Sequence, residues 1–256
     1  MDSGVVLPPG LVEQLARVRS VGVITGAGIS AESGIPTYRG KGGIYDDPEE
    51  GDRTIEALSA PMIHEDPDRC WRAIAQIAKA AGGATPNASH RALVDIETSV
   101  ERFVLLTQNV DGLHRIAGTR NIIDIHGDTS HIYCMKCGAR DRLMDRSNID
   151  RAPRCMCGGV MRPDVVLFGE MLPPEKVQRL YSEFFDNPPD TVISIGTSSM
   201  FPYIIEPVVA AVRAGRLTIE VNPEPTSITD IVDYHLQAPA GQVLPLLAGG
   251  LTARRH

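Results

Sequence analysis

No stretch of this 256-residue chain is apolar for long enough to span a bilayer as a helix, so no membrane partner is expected. Nor does the chain open on a basic start, an apolar run and a small-residue cleavage site, so no secretory leader is expected. Positive charge is in the minority: 25 Lys and Arg stand against 32 Asp and Glu, a formal net charge of −7. That balance disfavours a nucleic-acid groove and still leaves basic partners such as lysine-rich peptides open. The cysteines are few and odd in number, 5 in all. Together with the missing leader, the odd count sets the expectation of reduced thiols and a cytoplasmic location. Internal repeats and low-complexity segments are absent too. What is present is ample apolar content, 43%, enough for a core and too much for intrinsic disorder.

Four short apolar runs each end in small or polar residues. Val21–Thr25 leads into Gly26-Ala27-Gly28-Ile29-Ser30, and Phe103–Leu106 into Thr107-Gln108-Asn109-Val110-Asp111. Val192–Ile195 leads into Gly196-Thr197-Ser198-Ser199, and Leu217–Val221 into Asn222-Pro223-Glu224. Runs of this length and composition read as buried parallel strands. Ligands of open α/β sheets sit outside the carboxyl ends of such strands, so the four endings are expected to share one nucleotide-sized crevice. A fifth run, Ile122–Ile125, delivers His126-Gly127-Asp128 to the same edge.

Helices are expected over Val12–Arg19, Arg72–Ala81, His90–Thr98, Pro174–Phe185 and Ile204–Ala214, with glycine or proline punctuating several of them. Tyr38–Asp68, rich in Gly, Pro, Asp and Glu, reads as a loop or lid. The fold expectation is α/β: a Rossmann-like open parallel sheet with a small inserted zinc-binding and helical or loop subdomain. Residues 1–37, 89–131 and 161–256 would form the large part, 38–88 a loop and helical segment, and 132–160 a metal-binding module, all within one domain spanning 1–256.

Gly26-Ala27-Gly28-Ile29-Ser30-Ala31 fits a dinucleotide turn with alanine in the third position. A hydride-transfer site would also carry an acidic residue at the end of the next strand, about 20 residues on. Here Ser33-Gly34-Ile35-Pro36 stops any helix early and the next convincing strand starts only near Phe103. The turn therefore points to a dinucleotide used in some other way. Arg39 just after it is placed either to meet a phosphate or to be a solvated loop residue.

Cys134-x-x-Cys137 and Cys155-x-Cys157, with Gly138 and Gly158-Gly159 after them, have the spacing of a tetrahedral thiolate zinc site. Four thiolates close the coordination sphere, so this metal would be structural. The single residue inside the second pair, where two are usual, is a departure. Cys70 stands apart as a core or lid residue. His126, at a strand end beside a glycine and near Gln108, Asn109 and Asp111, suits a general base acting on a ribose hydroxyl. Asp111 serves equally well as a cap for the segment from Gly112. His114 and His131 read as packing or surface residues.

In the segments Gly26–Pro36, Thr107–His114, His126-Gly127, the cysteine set, Arg162–Glu170, Gly196–Ser198 and Val221–Glu224, the chain resembles the sirtuin family, in its bacterial form. The resemblance covers nearly the whole chain. It implies an NAD-dependent protein-lysine deacylase, with NAD consumed as co-substrate and one structural zinc ion. The acyl oxygen would attack the anomeric carbon of the nicotinamide ribose, and His126 would activate a ribose hydroxyl. The products are free lysine, nicotinamide and O-acyl-ADP-ribose.

The resemblance also implies roles for the other strand-end residues. Gly26, Ala27, Gly28 and Ser30 would hold the diphosphate, with Gly196, Thr197 and Ser198 alongside. Asn109 and Asp111, with His126, would be the catalytic set, next to Gln108. Ile35 and Tyr38 would border the nicotinamide, Pro36 and Arg39 would belong to the same cofactor site, and Asn222, Pro223, Glu224 and Ala240 would lie on the adenosine side. Val166 and Phe168 would line an acyl-lysine tunnel, the peptide adding as a strand. Gly34–Tyr45 would close as a lid. Partners would be acyl-lysine proteins or peptides, and a monomer is favoured.

Four departures bear on specificity. Tyr38 replaces a common phenylalanine and Thr37 a common aspartate. The Tyr-x-x-Arg pair of relatives that take acidic acyl groups is missing from Trp71–Gln76, so neutral acyl groups are expected. Ser199–Pro202 is about one residue shorter than usual. An ADP-ribosyltransferase, an NAD hydrolase, a deacylase for longer or acidic acyl groups and a non-catalytic NAD-sensing module are the other readings.

Overall fold

The computed structural model describes residues 4–37, 43, 47–143 and 145–252. Its strands are β1 (Ser20–Thr25), β2 (Arg102–Thr107), β3 (Ile122–Asp124), β4 (Gly127–Cys134), β5 (Arg140–Arg142), β6 (Met161–Val165), β7 (Thr191–Ile195), β8 (Leu217–Val221) and β9 (Tyr234–Leu236). Its helices are α1 (Pro9–Leu15), α2 (Pro48–Ala57), α3 (Ala60–Glu65), α4 (Pro67–Ala80), α5 (Ala88–Ser99), α6 (Leu113–Ala117), α7 (Pro174–Tyr181), α8 (Pro202–Arg213) and α9 (Ala240–Thr252).

Six strands form one parallel sheet in the order β3-β2-β1-β7-β8-β9. Parallel sheets are covered on both faces, so their strands can be apolar throughout. Five of the six residues of β1 are buried, as are all of β7 and β8. One face packs Leu11, Leu15, Leu93, Ile96, Val243 and Leu247 from α1, α5 and α9. The other packs Leu180, Phe184, Ile204 and Val208 from α7, the π turn after it, and α8. Fully burying each such side chain is worth about 1.5–3 kcal/mol. Among the described residues no helix is long and apolar enough to cross a membrane.

The second sheet is antiparallel, β5-β4-β6. It draws strands from both sides of the cysteine segment, beginning at Gly127 and ending at Val165. A third core joins this sheet to α3 and α4: Met62, Ile63, Cys70, Trp71 and Ile74 pack with Ile132, Cys134 and Met161. The Trp71 indole donates to the Met161 carbonyl at 2.8 Å.

The expectation that Tyr38–Asp68 is a loop is corrected from Pro48 onward; 38–42 and 44–46 lie outside the described residues. Residues 48–65 hold two helices, and α4 starts at Pro67, five residues ahead of its expected start. The residues that suggested a loop are helix-start chemistry. Asp47, Ser59 and Asp66 each cap a helix whose first turn holds a proline. Two other ends move as well. α1 spans Pro9–Leu15 because Pro9 can open it, and the expected helix over 174–185 loosens into a π turn at Ser182–Asp186.

The chain steps from β1 outward to β2 and β3, then returns to β7 on the other side of β1. The order therefore reverses between β1 and β7, where open sheets place their ligand crevice. At that point the Gly28 amide donates to the Gly196 carbonyl at 2.8 Å. A Cβ on Gly28 would lie 2.7 Å from the Gly196 Cα, and one on Gly26 would lie 2.8 Å from the Gly196 oxygen. Gly196 itself has φ +56°. These glycines are demanded first by loop meeting loop. Gly28→Ala is therefore expected to destabilise the fold by about 1–3 kcal/mol, read from urea unfolding; a variant as stable as the parent would contradict this packing.

Candidate active site

The turn after β1 is a single short 3-10 element, Ala27–Ser33, stopped by Gly34 at φ 85°. Ile35 then donates its amide to the Ser30 carbonyl at 3.3 Å, which sets Ile35 and Pro36 beside the turn. Tyr38 and Arg39, and most of the expected lid, lie outside the described residues.

Side chains from the neighbouring strand ends knit onto this turn. Asn109, only 8% exposed, donates from Nδ2 to the Gly26 carbonyl at 3.1 Å and to Ser30 Oγ at 3.3 Å. Ser30 Oγ donates to Asp111 at 2.7 Å. The other Asp111 oxygen accepts the Leu113 amide at 2.8 Å, so the capping role and the site role coexist. Burial pushes the Asp111 carboxyl up, while those two donors pull it down. Gln108 Nε2 donates to Thr197 Oγ1 at 2.9 Å, and Asn222 Nδ2 to the Thr197 carbonyl at 3.0 Å. The ends of β1, β2, β7 and β8 are thus brought together as expected. Ser198 is exposed beside Thr197, and Pro223 and Glu224 continue exposed from Asn222. Buried Ala240 opens α9, whose Gly241 amide donates to Glu32 of the turn at 2.6 Å.

His126 follows β3. Its Nδ1 lies 2.9 Å from the Gln108 carbonyl and its Nε2 2.8 Å from the Tyr203 hydroxyl. A carbonyl only accepts, so Nδ1 carries the proton and the neutral ring keeps its lone pair on Nε2. Burial lowers the His126 pKa; the Gln108 carbonyl opposes this and the Lys176 charge adds to it. The ring is therefore a neutral base at neutral pH. Val166 donates its amide to the His126 carbonyl at 2.9 Å. Phe168, 38% exposed, is strapped to the helical lobe through the Leu58 carbonyl and the Ala60 amide, both at 2.9 Å. Arg162 and Glu170, paired at 2.5 Å, hold that strap closed.

Of the remaining histidines, His114 is a packing residue, 3% exposed and 3.1 Å from Thr25 Oγ1, and burial drives its pKa down to about 3. His131 is a surface residue paired with Asp128. Cys70 is fully buried in the third core, where desolvation lifts its thiol to about 11. The sequence reading missed Tyr203. Its signal was an aromatic residue just after the short Ser199–Pro202 segment, at the start of α8.

The four remaining cysteines converge: their Sγ atoms all lie within 4.8 Å of one another, with near pairs at 3.4, 3.5 and 3.7 Å. A tetrahedral zinc with bonds of about 2.3 Å sets its sulfurs about 3.8 Å apart, so the set fits that ion. Cys134 is buried against the third core, and a Cβ on Gly159 would lie 2.6 Å from its sulfur, so this glycine makes room for the ligand. The shortened second pair does not spoil the convergence.

The Sir2 family model matches residues 26–201. The chain is 44% identical over 240 residues to NAD-dependent protein deacylase 2 of Pseudomonas aeruginosa, covering 92% of this chain and 93% of that protein. The chain belongs to the Sir2 family. Among solved structures, a Sir2 homologue–NAD complex is 35% identical with TM-score 0.85, covering 97% of this chain and 95% of that one. Sir2Af2 bound to a myristoylated histone peptide is 28% identical with TM-score 0.77, covering 95% of each chain.

Two outcomes follow from this Sir2 geometry. The only tryptophan, Trp71, reports on the cysteine lobe. The purified protein is expected to carry one zinc per chain, and stripping it with a strong chelator should shift tryptophan emission to the red. Metal-free protein with unchanged emission would contradict a structural site. Because burial lowers the His126 pKa, its base form persists as pH falls below the free-histidine value of about 6.5. The acid limb of kcat/KM should therefore lie below that value, and a limb at or above it would contradict the assignment.

Proposed function

We propose that this chain removes acyl groups from lysine side chains of proteins, with NAD as co-substrate. The observation that carries the reading is the neutral, oriented imidazole of His126 at the mouth of a dinucleotide crevice whose strand ends are tied together. The crevice suits NAD in its donor chemistry. Backbone amides of the turn, hydroxyls of Thr197 and Ser198, and carboxamides converge there, and the carboxylate in the web, Asp111, has both oxygens engaged. When bound, NAD supplies an activated anomeric carbon from which nicotinamide can leave.

The protein's own groups do the rest. Gly26, Ala27, Gly28 and Ser30, with Gly196, Thr197 and Ser198, hold the diphosphate. Asn109, Asp111 and Gln108 orient the ribose and nicotinamide end beside Ile35 and Pro36. Asn222, Pro223, Glu224 and the start of α9 at Ala240 receive the adenosine. His126 takes a proton from a ribose hydroxyl at Nε2, while Nδ1–H stays on the Gln108 carbonyl. Val166 and Phe168 border the acyl-lysine, and the peptide pairs with that backbone as an added strand. Cys134, Cys137, Cys155 and Cys157 would hold a structural zinc with no open ligand position. The acyl-peptide partner is carried by the myristoyl-histone complex of a relative, and the lack of a Tyr-x-x-Arg pair at Trp71–Gln76 favours neutral acyl groups.

Mass spectrometry of the protein with NAD and an acetyl-lysine peptide tests the reading. Free lysine peptide and O-acetyl-ADP-ribose should appear together, and His126→Ala should slow both by about 10²–10⁴-fold. NAD loss with the acetyl group retained, across neutral acyl peptides, would replace deacylation by hydrolysis or ADP-ribosyl transfer.

A further inference from the structure

We propose that Tyr203 is a latch on the base: its hydroxyl holds the Nε2 lone pair of His126 and is displaced when the nicotinamide ribose binds. The inference rests on the reading of His126 as the base.

The geometry leaves the imidazole one free function. Nδ1–H is committed to the Gln108 carbonyl at 2.9 Å, so any proton that His126 accepts must enter at Nε2. The Tyr203 hydroxyl occupies that position at 2.8 Å. It sits there firmly, because its ring stacks on Phe201 at 5.4 Å between centroids and 13° between planes. Both rings meet the imidazole edge-on, at 6.0 and 6.2 Å. Burial lifts the Tyr203 hydroxyl to about 12, so it remains a proton donor and not a competing base.

The segment that presents this pair is itself tensioned. Ser199 has φ 50°, the one positive φ at a non-glycine among the described residues. Its Oγ is buried without a partner. Its amide donates to Thr197 Oγ1 at 3.2 Å, and its carbonyl accepts Ser227 Oγ at 2.7 Å. Thr197 Oγ1 also receives Gln108 Nε2, and the Gln108 carbonyl receives His126. His126, Gln108, Thr197 and Ser199 are thus linked by hydrogen bonds, and the chain from Ser199 to Tyr203 leads back to the base. Thr197, which borders the diphosphate in the proposed site, is tied to the start of the segment that carries the latch. The short Ser199–Pro202 segment places an aromatic residue within reach of the base.

A latch reduces apparent affinity by the fraction of molecules in which it is open. Tyr203→Phe keeps the stacked ring and removes the hydroxyl. By calorimetry it should bind ADP-ribose about 2- to 10-fold more tightly, the equilibrium weight of one neutral hydrogen bond. In turnover the gain should fall on KM for NAD and not on kcat. A merely structural residue would give the opposite: weaker binding and a lower melting temperature.

The same substitution made on His126→Ala should change ADP-ribose affinity little, because no lone pair remains to free. Unchanged or weaker affinity in Tyr203→Phe overturns the latch. So does an equal gain in the absence of His126, or a large fall in kcat at constant KM. The titration does not depend on turnover. Loss of the latch effect with normal O-acyl-ADP-ribose formation refutes this inference alone, whereas absence of that product refutes the base reading.

Discussion

The close approach of Gly28 to Gly196 is the constraint on which the site depends. It occurs where the strand order reverses, and the hydrogen bond between the two residues is 2.8 Å long. Without side chains at Gly26, Gly28 and Gly196, the loops after β1 and β7 meet closely enough for Thr197 to reach Gln108. Gln108 in turn fixes the tautomer of His126 through its backbone carbonyl. One packing requirement therefore propagates through three side chains to the lone pair that does the chemistry. A shift of a few tenths of an ångström at the glycines would be felt at the imidazole, because protein interiors are too densely packed to absorb it.

Burial supplies the second half of the mechanism. An imidazole in water is partly charged near its ordinary pKa of about 6.5, and a charged ring cannot accept a proton. Desolvation keeps His126 neutral, and the same effect holds His90 and His114 far below that value, at about 4 and 3. Their burial has a cost in the fold. As pH falls below about 6.5 the unfolded chain takes up protons that these native histidines refuse, so stability drops with falling pH. The site is thus tuned by the placement of its histidine under the sheet edge more than by any partner charge.

How much of this was legible varied with the physics. The strands of the large sheet could be read because a strand covered on both faces is a nearly continuous apolar run, as Val21–Thr25 and Val192–Ile195 are. The cysteine set was legible because thiolate spacing reflects a local requirement. The helices at 48–65 were not, because Pro48, Pro61, Asp47 and Ser59 serve helix starts as readily as turns. The glycine turn was legible as a dinucleotide pattern, whereas the contact of Gly26 and Gly28 with the loop at Gly196 was not, because it joins residues about 170 positions apart. Tyr203 lies 77 positions from His126. The short Ser199–Pro202 segment marks the residue but not its partner, because the contact exists only once β3 and α8 have been set at the same edge.

A crystal structure with ADP-ribose is the most direct test of the central claim that these tied strand ends form the NAD site. The diphosphate should lie over Gly26–Ser30 and beside Thr197, with a ribose hydroxyl on Nε2 of His126 in the place held by Tyr203. ADP-ribose bound elsewhere on the molecule, or a ribose that leaves His126 untouched, would contradict it.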